Sequence, residues 1–289
     1  MDLLAILPAQ VLHGLAYGML LFLVASGLTL IFGMMGVLNF AHGALYMLGA
    51  YFSFSILMWT GQFWLSLILA PLMVGVIGII IERFLLRKVH IYGHAHELLL
   101  TFGIAYIVEE IVKIIWGSES LLVELPPILS GSVSLLGLEY PVYRLFMLAV
   151  SILVFVLLFM ILFKTRAGII VRAAVANKDM VDALGFNVPL VFLVLFGIGA
   201  WLAGLAGVIG GPYLITNPGM ASIIIIDLFV VIVVGGLGSV EGALIASLII
   251  GELQSIGILF LPQFAIVFEF LLMALVLIFR PHGLLGESK

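Results

Sequence analysis

Long runs of apolar residues, rather than alternating apolar and polar positions, fill most of this chain of 289 residues. Each run is long enough to cross a bilayer as a helix, which takes about 20 residues. The pattern predicts an all-α fold, a polytopic transmembrane helix bundle of about nine spans (eight to ten) in a single domain covering residues 1–289. The predicted spans are 11–34, 40–59, 63–83, 98–116, 142–163, 188–211, 223–239, 242–260 and 264–280.

Composition agrees with a membrane protein and excludes several other classes. Hydrophobic residues make up 65% of the chain and charged residues 9%, whereas about a quarter of the residues in a soluble domain are charged. The chain has no cysteine, which excludes disulfides and thiol nucleophiles. Its net charge of −4 offers no basic surface for nucleic acid. Residues 1–10 lack the basic start of a cleavable signal peptide, so we expect the first span to be retained.

Positive charge predicts the orientation of the bundle. Two internal segments hold most of it, and by the positive-inside rule both face the cytoplasm. Their basic residues are Arg83, Arg87, Lys88, Lys164, Arg166, Arg172 and Lys178. Three spans precede the first segment and four follow the second, which predicts an outside N-terminus and a cytoplasmic C-terminus. The loop 117–141 has no lysine or arginine, as expected of an external loop.

Two short glycine-bearing breaks interrupt the apolar pattern, at Asn39–Gly43 and at Gly235–Gly242. Both are predicted at cytoplasmic ends of spans. Irregular backbone at membrane depth is tolerated only where protein or a water-filled cavity surrounds it, so we interpret these breaks as the substrate path or its inner gate. The competing interpretations are a capping asparagine followed by a satisfied histidine, and glycines that only pack helices.

Ionisable residues within the spans are costly and therefore functional candidates. Glu109 and Lys113 are four residues apart and can pair on one helix, and Glu110 lies beside them in the same span. Glu252 lies near the middle of its span, whereas Asp227 lies near an outer end, and Glu269 is a further embedded acid. The candidate substrate-path residues are Asn39, His42, Gly43, Gly235, Gly236, Gly238, Glu241 and Glu252.

The sequence gives little support for a metal site or for nucleotide binding in this chain. His90, His94 and His96 form a cluster, but no cysteine or nearby aspartate completes a ligand set, so no metal site is predicted. The chain also lacks the G-x-x-x-x-G-K-[ST] loop that binds nucleotides. If ATP drives this protein, another chain binds it.

The segment 164–187 has helical periodicity, with a mostly apolar stripe and charged residues opposite. Gly185 is placed to end the helix as a C′ glycine. Such a helix either lies on lipid or docks in a groove of a partner, and its nearly balanced charge favours the partner.

Several motifs together resemble one family, the branched-chain amino acid ABC transporter permease subunits of the LivH type. The motifs are Gly27–Gly33, Asn39–Gly43, Met47–Tyr51, Arg172–Ala174, Ala183–Gly185, Leu202–Gly207, Gly235–Ser239 and Arg280–Pro281. Urea and short-amide permeases share the Asn39–Gly43 signature and remain an alternative. So does an ion-coupled secondary transporter, with Asp227, Glu252 or Glu269 carrying the coupling cation.

The resemblance implies an importer in the inner (plasma) membrane of a bacterial or archaeal cell. Its other parts would be a second homologous permease subunit, two ATP-binding subunits that hold ATP and Mg, and an external substrate-binding protein. This chain would need no cofactor and would be no enzyme. Residues 164–187 would contact the ATP-binding subunits. The candidate coupling residues are Arg172, Ala173, Ala174, Asn177, Asp179, Asp182 and Gly185. A bulky residue at Gly43 or Gly236 is expected to block transport and leave assembly intact.

Overall fold

The computed structural model describes residues 3–135 and 138–286, which form a helix bundle. Its long helices are α1 (Leu3–Met35), α2 (His42–Thr60), α3 (Phe63–Ile81), α5 (His94–Trp116), α6 (Val142–Lys164), α9 (Val188–Leu214), α10 (Met220–Gly235), α11 (Val240–Phe260) and α12 (Ala265–Phe279). Its shorter elements are α4 (Arg87–Val89), α7 (Arg166–Ala176), α8 (Lys178–Ala183) and the strands β1 (Ser132–Leu135) and β2 (Leu138–Pro141).

Each predicted span coincides with one of the long helices, which confirms the all-α polytopic bundle. Six helices are long and apolar enough to cross a membrane: Leu7–Gly33, His42–Thr60, Phe63–Tyr92, Val142–Lys164, Val188–Leu214 and Val240–Phe260. Helix α5 carries four charged residues, and α10 and α12 are shorter. The number of crossings and their orientation therefore stay predictions.

Glycine stripes bring α1 and α11 together. A Cβ atom on Gly18 would lie 2.7 Å from the carbonyl oxygen of Ser247. A Cβ on Gly251 would collide with the backbone of Gly14 and Gly18. Small residues let backbones approach closely where lipid removes the hydrophobic drive for association. The small-residue repeats in these two helices thus form one helix contact.

Helix α9 uses its own stripe in the same way. A Cβ on Gly199 would lie 2.8 Å from the carbonyl oxygen of Gly27 in α1, and one on Gly204 would lie 2.8 Å from Cβ of Val74 in α3. A Cβ on Gly207 would overlap the carbonyl oxygen of Tyr46 in α2. The glycines of α9 therefore place it between three helices.

The two basic segments lie at one end of the bundle, here called the basic end. After α3 the chain makes a π turn at Glu82–Leu86, then α4 and a 3₁₀ turn at His90–Tyr92. The buried Glu82 pairs with Arg87 at 3.2 Å, and Arg87 Nη2 donates to the carbonyl of Pro189 at 2.9 Å. This contact joins the first basic segment to the start of α9, which directly follows the second.

At the opposite end, short strands join the loops that the sequence predicts to be external. Strands β1 and β2 pair antiparallel. An isolated bridge links Leu121 to Thr216, with N–H···O distances of 2.7 and 3.2 Å. The sequence pattern did not predict these strands, because four residues are too few to show alternation.

Candidate functional site

The first break, Asn39–Gly43, folds back into the bundle. His42 Nε2 lies 3.1 Å from the carbonyl oxygen of Val24, and Val24 precedes the end of α1 by 11 residues, about 16 Å along its axis. Helix α2 therefore begins well inside the bundle, beside the middle of α1. The break is deeper than the cytoplasmic end where the sequence placed it.

Polar groups in this break are buried and only partly satisfied. Asn39 Oδ1 accepts a hydrogen bond from the backbone N–H of Ala41 at 3.1 Å, but its Nδ2 has no partner in the described part of the chain. A carbonyl oxygen only accepts, so Nε2 of His42 carries the proton toward Val24. Nδ1 of His42 is then an acceptor, and within residues 3–135 and 138–286 nothing donates to it.

Asn39 also lines a small apolar cleft between α1 and α10. Its volume is about 20 Å³, roughly the room for one water molecule, whereas ligand pockets take 300 Å³ or more. The cleft is therefore closed to an amino acid in this conformation. Its lining residues are Leu28, Leu38, Asn39, Phe40, Ile225, Phe229 and Ile232.

Gly43 is a helix contact in this conformation. A Cβ atom there would overlap the carbonyl oxygen of Ala221 at the start of α10 and lie 3.3 Å from Cβ of Ile225. No space is held open beside it for a substrate. The structure thus supports the packing interpretation of Gly43, and a larger residue is expected to impair folding or assembly rather than transport alone.

The second break lies at the basic end and is covered by the C-terminal segment. Gly236 has φ +105 and Gly238 has φ +86, backbone conformations that favour glycine. Backbone N–H groups of Leu284 and Leu285 donate to Val234 and Gly235 at 2.8 and 3.0 Å. The C-terminal segment therefore holds the last residues of α10 in place through these two hydrogen bonds.

The two breaks do not meet. A Cβ on Gly238 would lie 2.9 Å from Cα of Gly33, and Gly33 is nine residues beyond Val24 on α1, about 14 Å along the axis. Glu241 is half-buried near the second break. Glu252 belongs to neither break, because it packs beside Gly14, toward the other end of α1. The predicted path residues thus fall in three places.

Sequence reasoning missed a buried group of side chains that we call the oxygen cluster: Tyr17, Tyr46, Asp227 and Glu269. Tyr17 Oη donates to Asp227 Oδ2 at 2.7 Å. Asp227 is 8% exposed and Glu269 1%, and both interact electrostatically with Tyr17. The two acids were recognised as costly in the sequence, but only the fold shows that they lie together, on α10 and α12.

The segment 164–187 forms two helices where the sequence predicted one. Thr165 Oγ1 accepts from the N–H of Gly168 at 3.2 Å and caps α7, and Asn177 Oδ1 accepts from Met180 at 2.9 Å and caps α8. Asparagine favours such caps over helix interiors. Gly185, with φ +89, ends α8 as predicted.

Most candidate coupling residues of this segment are exposed. Ala174 is the exception, because it is 3% exposed and packs with Val181, Val188 and Leu195. Arg172 donates to the carbonyl of Leu162 at the end of α6. The exposed residues are Arg172, Ala173, Asn177, Asp179, Asp182 and Gly185. A cavity of about 300 Å³ lies beside them, lined by Met35, His90, Ala174, Val175, Ala176, Asn177, Asp179 and Phe192.

The histidine cluster is held by one acid. Glu97 is 1% exposed, and its carboxylate contacts Nδ1 of both His90 and His94, the latter at 3.2 Å. In the described ranges no group of three His, Cys, Asp or Glu side chains could hold a metal ion. On α5, Lys113 pairs with Glu109 at 2.9 Å, as predicted, and with Glu110 at 2.8 Å.

A polytopic helix bundle with a polar break folded into its interior is the architecture of a membrane transport protein. Comparison with known proteins identifies the family. The family described as branched-chain amino acid transport system / permease component matches residues 10–279. The chain belongs to this family, so it is a transport permease.

Individual relatives agree over nearly the whole chain. It is 30% identical to the high-affinity branched-chain amino acid transport system permease protein BraD of Pseudomonas aeruginosa, over 97% of this chain and 96% of that protein. It is 31% identical to the corresponding LivH of Escherichia coli K12, with the same coverage. A probable LivH of Methanocaldococcus jannaschii is 28% identical over 96% of this chain and 92% of its own. No solved structure matches.

Proposed function

We propose that this chain is a membrane-spanning subunit of an ATP-driven importer that carries branched-chain amino acids across the inner membrane by alternating access. The observation that carries the proposal is the Asn39–Gly43 break, which places unpaired polar groups beside an apolar cleft inside the bundle. An aliphatic side chain suits the apolar lining, and amide and imidazole groups suit a polar backbone part. The names of the relatives support this substrate class over urea and short amides.

The closed cleft supports alternating access as the mechanism. A cleft of about 20 Å³ holds no amino acid, so helices α1 and α10 must separate for a substrate to pass. Gly235 ends α10, and Gly236 and Gly238 follow it with positive φ values. The backbone freedom of these two glycines suits a hinge at the end of that helix. In this proposal the second break is a hinge rather than a lining of the path.

The energy for this movement comes from other chains in our proposal. The sequence lacks a nucleotide-binding loop, and the exposed residues of α7 and α8 at the basic end offer a surface for two ATP-binding subunits that hold ATP and Mg. A second, homologous permease subunit pairs with this chain. An external binding protein docks on the loops 117–141 and 212–222 at the opposite end. The whole chain 1–289 acts as one transmembrane domain with 164–187 as its coupling segment.

The test is uptake by the assembled importer. The tagged chain is purified with its partner subunits and reconstituted in proteoliposomes with the binding protein. We expect ATP-dependent uptake of labelled leucine, isoleucine and valine, and no uptake of urea or acetamide. Uptake of urea but not leucine would show that the substrates are urea and short amides rather than branched-chain amino acids. Uptake that is abolished by a protonophore and does not depend on ATP would show that the chain is an ion-coupled transporter rather than part of an ATP-driven importer.

A further inference from the structure

The oxygen cluster holds two buried carboxyl groups, and no basic side chain in the described part of the chain pairs with either of them. Asp227 and Glu269 lie on two helices of the bundle, and Glu269 is within electrostatic range of Asp227. The ion pairs of Arg87 and Lys113 in the described chain involve other acids. Buried carboxylates are costly unless a positive group pairs with them. This cluster is therefore a place where a cationic group is stabilised.

Unpaired acceptor atoms in the cluster indicate the kind of cation. Oε1 of Glu269 and the hydroxyl of Tyr46 are buried and have no hydrogen-bond partner in the described chain, whereas the Gln254 side chain hydrogen-bonds to the carboxyl group of Glu269. Asp227 accepts one hydrogen bond, from Tyr17, and its carboxylate has room for more. A primary ammonium group has three N–H donors. Its three donors match in number the three acceptor groups of the cluster, on Asp227, Glu269 and Tyr46.

A positively charged side chain, Arg144, lies beside α1 about one helical turn before the oxygen cluster. His13, four residues before Tyr17 and about 6 Å along the axis, contacts the guanidinium of Arg144. The guanidinium also lies 5.3 Å from the ring centre of Tyr213. In residues 3–135 and 138–286 no carboxylate lies within 4.0 Å of it. An amino acid is a zwitterion. Along α1, the positive Arg144 of α6 lies beside His13, and the carboxyl group of Asp227 in α10 lies beside Tyr17, farther from the end that carries β1 and β2.

We propose that the oxygen cluster binds the α-ammonium group of the amino acid during transport, with Arg144 attracting its carboxylate first. The inference rests on the proposed function, because it names how that substrate is recognised. Access runs past Tyr17, whose side chain is partly exposed, unlike the buried Tyr46, Asp227 and Glu269. The Tyr17 hydroxyl orients Asp227 for this contact.

The test is ligand-induced thermal stabilisation of the purified permease and ATP-binding subunits, without the binding protein. Leucine is compared with 4-methyl-2-hydroxypentanoate, which keeps the side chain and carboxylate and has a hydroxyl in place of the ammonium. We expect leucine to raise the melting temperature and the hydroxy acid to have no effect. Equal stabilisation by both compounds, or by neither, would overturn the proposal. Stabilisation by sodium chloride but not choline chloride, with no effect of leucine, would make the cluster an alkali-cation site and overturn it too.

The variant Tyr17→Phe tests the cluster with a small change. Loss of one hydrogen bond to a carboxylate is expected to raise the leucine concentration for half-maximal stabilisation by about tenfold. The matched control is Tyr106→Phe, because Tyr106 is 57% exposed on α5 and should leave it unchanged. An unchanged value for Tyr17→Phe contradicts the proposal.

Failure of this inference is distinguishable from failure of the proposed function. If the wild-type importer with its binding protein takes up no leucine, the function is wrong. If it takes up leucine with ATP but shows no leucine stabilisation, or if Tyr17→Phe binds leucine as the wild type does, only the ammonium site is wrong.

Discussion

Replacing Gly43 with alanine distinguishes a packing glycine from one that lines a path. The added Cβ would overlap the carbonyl oxygen of Ala221, a backbone atom at the start of α10, and crowd Ile225. Backbone cannot rotate away as a side chain can, so α2 and α10 must move apart. Such overpacking costs about 1–3 kcal/mol.

Alanine has an opposing benefit, since it is favoured over glycine within a helix by about 0.5–1 kcal/mol. The net effect of Gly43→Ala is therefore a loss of up to about 2 kcal/mol. Gly43→Leu adds three more carbons at the same contact and is expected to reduce assembly of the subunits. Gly103 in α5 is the matched control, because a Cβ there meets nothing within 4 Å.

The assay is thermal unfolding of the purified complex, together with the yield of assembled subunits. We expect Gly43→Ala to lower the melting temperature by about 2–4 °C for each kcal/mol lost, and Gly103→Ala to leave it unchanged or raise it slightly. Normal stability and assembly of Gly43→Leu combined with blocked transport would refute this reasoning and restore the path interpretation.

Two other predictions concern the basic end and the orientation. Ala173 is exposed on α7, so Ala173→Asp should weaken association with the ATP-binding subunits without lowering the stability of the permease. Ala174 is buried, so Ala174→Asp should lower that stability. Intact association and substrate-stimulated ATP hydrolysis in Ala173→Asp would contradict the coupling role. The chain has no cysteine, so a single introduced cysteine reports the side of the membrane on which it lies. Glu119→Cys should react with an impermeant thiol reagent from outside, and Asp182→Cys only after permeabilisation. The reverse pattern would show that the predicted topology is inverted.

Elements with strong periodicity could be predicted from the sequence, and so could their packing surfaces. The apolar runs predicted every long helix, because nothing else satisfies the backbone of such a segment in lipid. The sequence contains the four-residue repeats Gly14/Gly18 and Ser247/Gly251, and the fold shows that they contact each other. Here a local pattern carries the information, since four-residue spacing puts small side chains on one face.

Depth and long-range contacts could not be predicted in this way. The sequence shows that Asn39–Gly43 interrupts two spans, but only the contact of His42 with Val24 shows that the break folds back along α1. Tyr17 and Asp227 are 210 residues apart, and no periodicity relates them. The sequence also shows the cost of an embedded acid without showing its partner. The predicted path therefore includes Glu252, for its position near the middle of a span, and not Asp227.

Helix α1 connects all the candidate sites. Tyr17 contacts Asp227 in the oxygen cluster, Val24 contacts the first break, and Gly33 contacts Gly238 in the second. These positions span 16 residues, about 24 Å of one helix, and the one proline within α1 is Pro8, outside that stretch. The stretch therefore has no proline kink between these contacts. In our proposal, a displacement of α1 alters the cluster and both breaks together, because all three contact the same helix.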